Sequence, residues 1–114
     1  MGARIEIYRG DNRTLEVRVT DSADQPVDLT GASIRFTVRK GVDKEVLIEK
    51  TSSDPAQAKI TDATGGVLEV YLVPADTKKL KPGGYVFDVE VTLSNGKVYT
   101  VVFGNFVLNG DVSA

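Results

Sequence analysis

The sequence contains no cysteine, no histidine and no tryptophan. Without cysteine there is no disulfide framework, so the fold has to be held by core burial alone. Without histidine or cysteine the chain cannot build a Ser-His-Asp triad, a cysteine nucleophile or a zinc finger. The 114 residues carry a formal net charge of −2, which is not the basic excess typical of nucleic-acid or anionic-membrane binding. These absences predict one globular domain over residues 1–114 that is not an enzyme and uses no cofactor.

No targeting segment and no membrane-spanning segment is expected in this sequence. No apolar run approaches the roughly 20 residues of a membrane helix. The N-terminus, Met1–Arg4, lacks the apolar stretch of a signal peptide. We therefore expect a protein made in the cytoplasm, with no membrane partner.

What the sequence has in excess is β-branched residues. Valine, isoleucine and threonine make up more than a quarter of the chain, and such side chains pack well on a pleated sheet. Apolar and polar residues alternate along about eight segments separated by short turns. One short helix is expected over 74–80, before the penultimate strand, because proline suits a first helical turn. The pattern predicts an all-β fold, an immunoglobulin-like antiparallel β-sandwich.

Three local features refine this expectation. Asn95-Gly96 is typical of a type I′ hairpin turn, in which both residues have positive φ. Gly104, inside the last predicted strand, indicates a bulge or kink. The strands over 4–9 and 45–50 are expected at sheet edges, where they could pair with a neighbouring protein.

A group of four residues predicts a corner between two strands in different sheets. Tyr85 and Phe87 follow Pro82 and Gly83. In immunoglobulin-like sandwiches, a tyrosine at this place bonds its hydroxyl to the backbone a few residues upstream. The alternative is that Tyr85 is merely a half-buried strand aromatic. Both interpretations give the residue a structural role.

The sequence resembles a known family over nearly its whole length. The segments 72–91 and 95–108 are similar to small immunoglobulin-like proteins of tailed bacteriophages, and the nearest family is the N-terminal domain family of phage baseplate upper proteins. The segments 5–11 and 27–34 are similar to the same family. These signatures consist of turn and core residues, which are more specific for a fold than for a task.

The resemblance implies a structural protein of the virion, most simply in the tail or baseplate. Its partners would be other virion proteins, including copies of itself in a symmetric assembly. A capsid decoration protein is the alternative within the virion. The sheet edges and the terminal segments 1–3 and 109–114 are the expected docking elements. No nucleic acid and no small-molecule substrate is expected.

Acidic residues are the only material for a metal or catalytic site. Asp21, Asp24 and Asp28 share one loop, and their oxygens are of the type that binds calcium. Their spacing does not match an EF-hand, and aspartate in loops usually serves the turn itself. Asp88 and Glu90 share one face of a strand, which favours a solvated surface over a glycosidase carboxylate pair. We therefore expect no metal site and no catalytic residues.

The remaining candidates form a partner surface. Tyr8, Leu47, Tyr71 and Tyr99 are expected on outward positions, where tyrosine offers large contact area at low entropy cost. The alternative function, from a different class, is that of a free-standing carbohydrate-binding or adhesin module. The absence of tryptophan argues against it, because sugar binding relies on exposed aromatic platforms.

Overall fold

The computed structural model describes residues 2–110. Eight strands and one helix follow one another in this order: β1 (Gly2–Tyr8), β2 (Arg13–Arg18), β3 (Ser33–Arg39), β4 (Val46–Thr51), β5 (Ala58–Asp62), β6 (Val67–Leu72), α1 (Pro74–Lys78), β7 (Gly83–Thr92) and β8 (Val98–Asn109). The helix precedes the penultimate strand, as predicted. It ends two residues earlier than the proline-led segment suggested.

The strands form two sheets that pack face to face. The larger sheet has the order β1-β8-β7-β3-β4 and the smaller sheet the order β2-β6-β5. This is an immunoglobulin-like β-sandwich, so the predicted fold class is confirmed.

The core lies between the two sheets. It consists of every second residue along the strands, those whose side chains point inward. Phe36 and Val38 on β3 are fully buried, and Val89 and Val91 on β7 are 1% exposed. Phe106 on β8 is fully buried as well. Side chains on successive strand residues point to opposite faces, so the period-2 pattern of the sequence places these residues together.

One strand pair differs from the antiparallel expectation. β1 runs parallel to β8, with Gly2 opposite Phe103 and Tyr8 opposite Asn109. Every other pair between the described strands is antiparallel. β1 and β4 lie at the two edges of the larger sheet, where the sequence pattern had placed them. The terminal segments expected as arms lie partly outside the described residues, at 1 and 111–114.

The hairpin turn and the bulge also differ from expectation. Among the described residues, the only non-glycine with positive φ is Asp24, so Asn95 does not have the type I′ conformation. The Gly96 N–H donates to Leu93 O at 2.8 Å and Gly96 has φ 88°, which is the geometry of a three-residue hairpin loop closed by a left-handed glycine. The bulge falls at Val101 rather than Gly104, because Val89 pairs with residue 102 and the next residue of β7 with Thr100.

Two polar residues on neighbouring strands of the larger sheet, β3 and β4, are buried. Thr37 is 2% exposed, and its hydroxyl donates to Asp88 Oδ1 at 2.9 Å. Lys50 is 6% exposed, and its Nζ lies 2.8 Å from Asp76 Oδ2 in α1. Buried polar groups need partners of this kind. The ion pair ties the edge strand β4 to the helix.

Candidate functional site

The corner residues form a closed structural unit. The buried Tyr85 donates its hydroxyl to Lys81 O at 2.5 Å, across Pro82 and Gly83. Its ring packs edge-on against Phe106 with centroids 6.4 Å apart, and Lys40 Nζ lies 4.7 Å from its centroid. The Phe87 ring lies 5.9 Å from that of Phe36 in the core. Because Tyr85 and Phe87 are buried, neither offers a binding surface.

We expect Tyr85→Phe to lower the free energy of unfolding by about 1–3 kcal/mol, because Lys81 O loses its donor in a partly buried place. Tyr71→Phe is the matched control, since its hydroxyl binds Glu69 on the outer face of the smaller sheet, and it should change stability little. Urea unfolding followed by circular dichroism measures both. Equal stability of the two variants would contradict a stabilising role for the corner bond.

The four predicted partner residues lie on separate surfaces. Tyr8, 49% exposed, lies on the outer face of the larger sheet at β1. Tyr99, also 49% exposed, lies on β8 at the opening between the sheets. Tyr71 lies on the smaller sheet, and its hydrogen bond to Glu69 raises the pKa of the Tyr71 hydroxyl. Leu47 is half-buried and packs against the core. The structure does not bring these residues together.

Sequence reasoning missed the exposed apolar residues of β8. Phe103 is 52% exposed and Val98 is 56% exposed, and both point away from the core, opposite Asp88 and Thr92. The bulge at Val101 shifts the alternation by one residue, so a single period-2 pattern cannot place both halves of the strand. The signal that would have found them is the run of uncharged, mostly apolar residues from 98 to 103.

Phe103 forms one side of a shallow groove on the outer face of the larger sheet. The groove encloses about 470 Å³. Val42, 79% exposed, and Val86 give it an apolar lining, and Arg39 and Asp88 line it as well. Apolar surface beside a few polar groups is the composition of many binding sites.

Charged residues lie beside this groove on the outer face of the larger sheet. Arg35 Nε lies 2.7 Å from Glu49 Oε2, and this hydrogen bond raises the pKa of the guanidinium, with Glu90 and Asp88 acting in the same direction. Asp88 also accepts the Thr37 hydroxyl. The carboxylates of 88 and 90 therefore belong to a network around one arginine, which is not the arrangement of a glycosidase pair.

The aspartates of the loop between β2 and β3 serve its turns. Asp21 Oδ1 accepts the N–H groups of residues 23 and 25, and Asp24 has a left-handed φ of 63°. The hydroxyl and the N–H of Thr30 donate to Asp28 and lower the pKa of its carboxyl. Over 2–110, no group of three acidic or other metal-binding side chains is placed to hold an ion. In the same range, no helix has the length and apolar character to cross a membrane.

The side of the sandwich formed by β8 and β2 is open. β1 covers β8 only from Phe103 onward, and within residues 2–110 no strand pairs with 98–102 on the side away from β7. Beside this free edge lies a groove of about 660 Å³ between the sheets, with Tyr99 at its rim. A second groove of about 340 Å³ continues it along β2.

A protein-family model settles the family of this domain. The model for the ribophorin II second domain matches residues 7–106. The chain belongs to this family. The resemblance to the N-terminal domain family of phage baseplate upper proteins is therefore wrong. It rested on turn and core residues such as Gly83, Tyr85 and Gly96, and such residues recur wherever this fold variant occurs, whatever its task.

Comparisons with individual proteins add little to the family assignment. No curated protein matches the chain. CopC from Methylosinus trichosporium OB3b is 15% identical over 96% of this chain and 86% of its own, with a TM-score of 0.48. Murine CRIg is 11% identical over 95% and 92%, with a TM-score of 0.43. A family 123 glycoside hydrolase from Clostridium perfringens is 14% identical over 99% of this chain and 24% of its own, with a TM-score of 0.39.

Proposed function

We propose that this domain is a non-enzymatic binding module that docks on another protein through β8 and the open side of the sandwich beside it. The observation that carries the proposal is the distribution of exposed apolar side chains. Within residues 2–110 six large apolar side chains are exposed, and three of them, Val98, Tyr99 and Phe103, lie close together on β8.

A group of exposed apolar side chains is unfavourable in water. Scattered apolar residues on a surface are ordinary, but a group on one strand beside an unpaired edge promotes association. The edge segment 98–102 carries no charged residue to oppose pairing. Contact with a partner would remove this surface from water, which favours binding by roughly 25 cal/mol per Å² of apolar area before the entropic costs of association.

The proposed binding function does not specify where in a cell or an assembly the domain acts. The expected virion setting, with tail, baseplate or capsid partners, depended on the phage resemblance, and no other observation favours it. The absence of enzyme activity, of nucleic-acid binding and of a small-molecule substrate stays a prediction. A glycan array tests for a carbohydrate ligand. A strong specific hit there would contradict a purely protein-binding role.

Photo-cross-linking in the cells that make the protein tests the proposal. A benzophenone amino acid replaces Tyr99 or Phe103 in two variants, and Tyr71 in a matched control on the opposite face. We expect a covalent adduct with one and the same protein at 99 and 103, and none at 71. The adduct should form again when the two proteins are purified and mixed. Adducts at 71 alone, or at none of the three positions, would contradict the proposal.

A further inference from the structure

The free part of β8 has the composition of a strand that accepts a partner strand. Residues 98–102 read Val-Tyr-Thr-Val-Val, with no proline and no charge. β7 pairs with one side of this segment, and among the described strands none pairs with the other. Natural sheets protect such edges with charges or proline, and neither is present here. The backbone of this segment can therefore pair with an added strand.

The groove beside this edge can take the side chains of an added strand. Its floor consists of core residues such as Leu29 and Val91, and partly buried residues such as Leu93 and Val101 lie along it. Alternate side chains of a strand placed next to β8 point inward, because successive residues of a strand face opposite ways. The groove therefore fits apolar residues at every second position.

The position of the added strand follows from its neighbour. β1 lies on the same side of β8, parallel to it, and begins opposite Phe103. A strand beside 98–102 would lie in line with β1, and it has to end or turn away where β1 begins. If it runs parallel to β8, its C-terminal end reaches that point.

The charges at that end favour an acidic partner. Three arginines, Arg4, Arg13 and Arg18, line the second groove together with Glu16. Arg4 lies 3.7 Å from Glu6 outside that lining, so the arginines outnumber the carboxylates by one. Arg18 lies 3.1 Å from Glu16, and both side chains are at least half exposed. The chain as a whole is negative, so this local positive balance is not a reflection of overall composition. Complementary charge steers and orients a partner.

We propose that the free edge of β8 and its groove bind an extended segment of another protein as an added strand, parallel to β8, with apolar residues at alternate positions and acidic residues at its C-terminal end. This inference rests on the proposed binding function and names the site and the chemistry of the partner. The added strand would continue the line of β1 and close the open side of the sandwich.

The test uses backbone amide shifts of the ¹⁵N-labelled protein with a synthetic probe, acetyl-Thr-Val-Thr-Val-Thr-Glu-Glu. Two control peptides carry either lysines in place of the glutamates or the reversed sequence. We expect shifts at 98–102 and at Leu93, with slower amide hydrogen exchange at the edge. Both control peptides should bind at least about fivefold more weakly, as surface charge pairs allow.

Variants of the protein locate the site. Tyr99→Lys should abolish the shifts, while Tyr8→Lys, a matched change at a tyrosine of equal exposure, should preserve them. Arg18→Glu should weaken binding of the probe about three- to tenfold, and the exposed Lys59→Glu should leave it unchanged. Retained amide spectra show that each variant is folded.

Other outcomes overturn the inference in distinguishable ways. Probe shifts elsewhere, or none, would mean that this edge does not accept an added strand. If benzophenone adducts at 99 and 103 still form in that case, the binding function stands and only the strand-addition site is lost. Shifts of the same amides that depend on protein concentration alone would replace the acidic segment by a second copy of the chain. Equal binding of the reversed peptide would contradict the parallel orientation.

Discussion

Replacement of Asp76 by alanine is expected to lower the free energy of unfolding by about 3–5 kcal/mol, the range for removal of one partner of a buried ion pair. The variant leaves the Lys50 ammonium buried with no countercharge at 2.8 Å. It also removes the acceptor of the Val73 N–H at the start of α1, a bond of 2.8 Å. Urea unfolding followed by circular dichroism measures the loss, and the slope of the transition shows whether it stays two-state.

Two further variants give this result its meaning. Lys50→Met keeps the apolar stem and leaves a carboxylate that is partly exposed and still bonded to Val73, so it should cost less than half as much. Asp54→Ala removes an exposed carboxylate that bonds only within its own turn, to the N–H of Ala56, and should cost about 1 kcal/mol or less. If Asp76→Ala proves no more costly than Asp54→Ala, the ion pair does not stabilise the fold.

Gly66→Ala is the second substitution with a large expected effect. Gly66 has φ 70°, and a Cβ atom there would lie 2.6 Å from Val19 O and 2.9 Å from Val27 O. The same glycine accepts the Val19 N–H at 2.8 Å, and the Val27 N–H donates to Val19 O at 3.0 Å. The Val19 carbonyl cannot withdraw without disturbing its bond to the Val27 N–H. We expect a loss of about 3 kcal/mol or more, from left-handed strain together with the clash.

Gly96→Ala separates the two causes of that loss. Gly96 has a similar φ of 88°, but no atom lies within 4 Å of its added Cβ. It therefore carries the conformational cost alone, about 1–2 kcal/mol. Denaturant midpoints of the two variants, measured under the same conditions, give the difference. Equal losses would show that the backbone around Gly66 relaxes freely.

The sequence predicted those parts of the fold that depend on neighbouring residues. Alternation placed Phe36 and Val91 in the core because a strand reverses its side chains at each step. It did not predict that Lys50 is buried. From sequence, a lysine is expected to face solvent unless a countercharge lies nearby in the chain. Asp76 is distant in sequence from Lys50 and lies in another element. The parallel pairing of β1 with β8 could not be predicted for the same reason, because no local sequence signal links the two strands.

The candidate site was predicted less well than the fold. Tyr99 was placed on the surface by its residue type, and it lies at the opening between the sheets. Phe103 was missed because the bulge at Val101 reverses the alternation within one strand. The groove itself depends on where β1 begins opposite β8 and on the distance between the two sheets. Neither follows from a pattern of single residues.

The pairing of β1 with β8 also sets an order of events during synthesis. β1 lies at the edge of its sheet and pairs with β8 alone. Gly2 therefore cannot pair until Phe103, which lies opposite it in β8, has been synthesised. A ribosome therefore has to make nearly the whole domain before the first strand has its partner. Closure of so long a loop costs entropy before the contact returns any energy. During this interval Ile5 and Ile7, buried in the finished fold, are exposed on the nascent chain. The first strand made is the last to be paired, and that is when two unfinished chains can mispair.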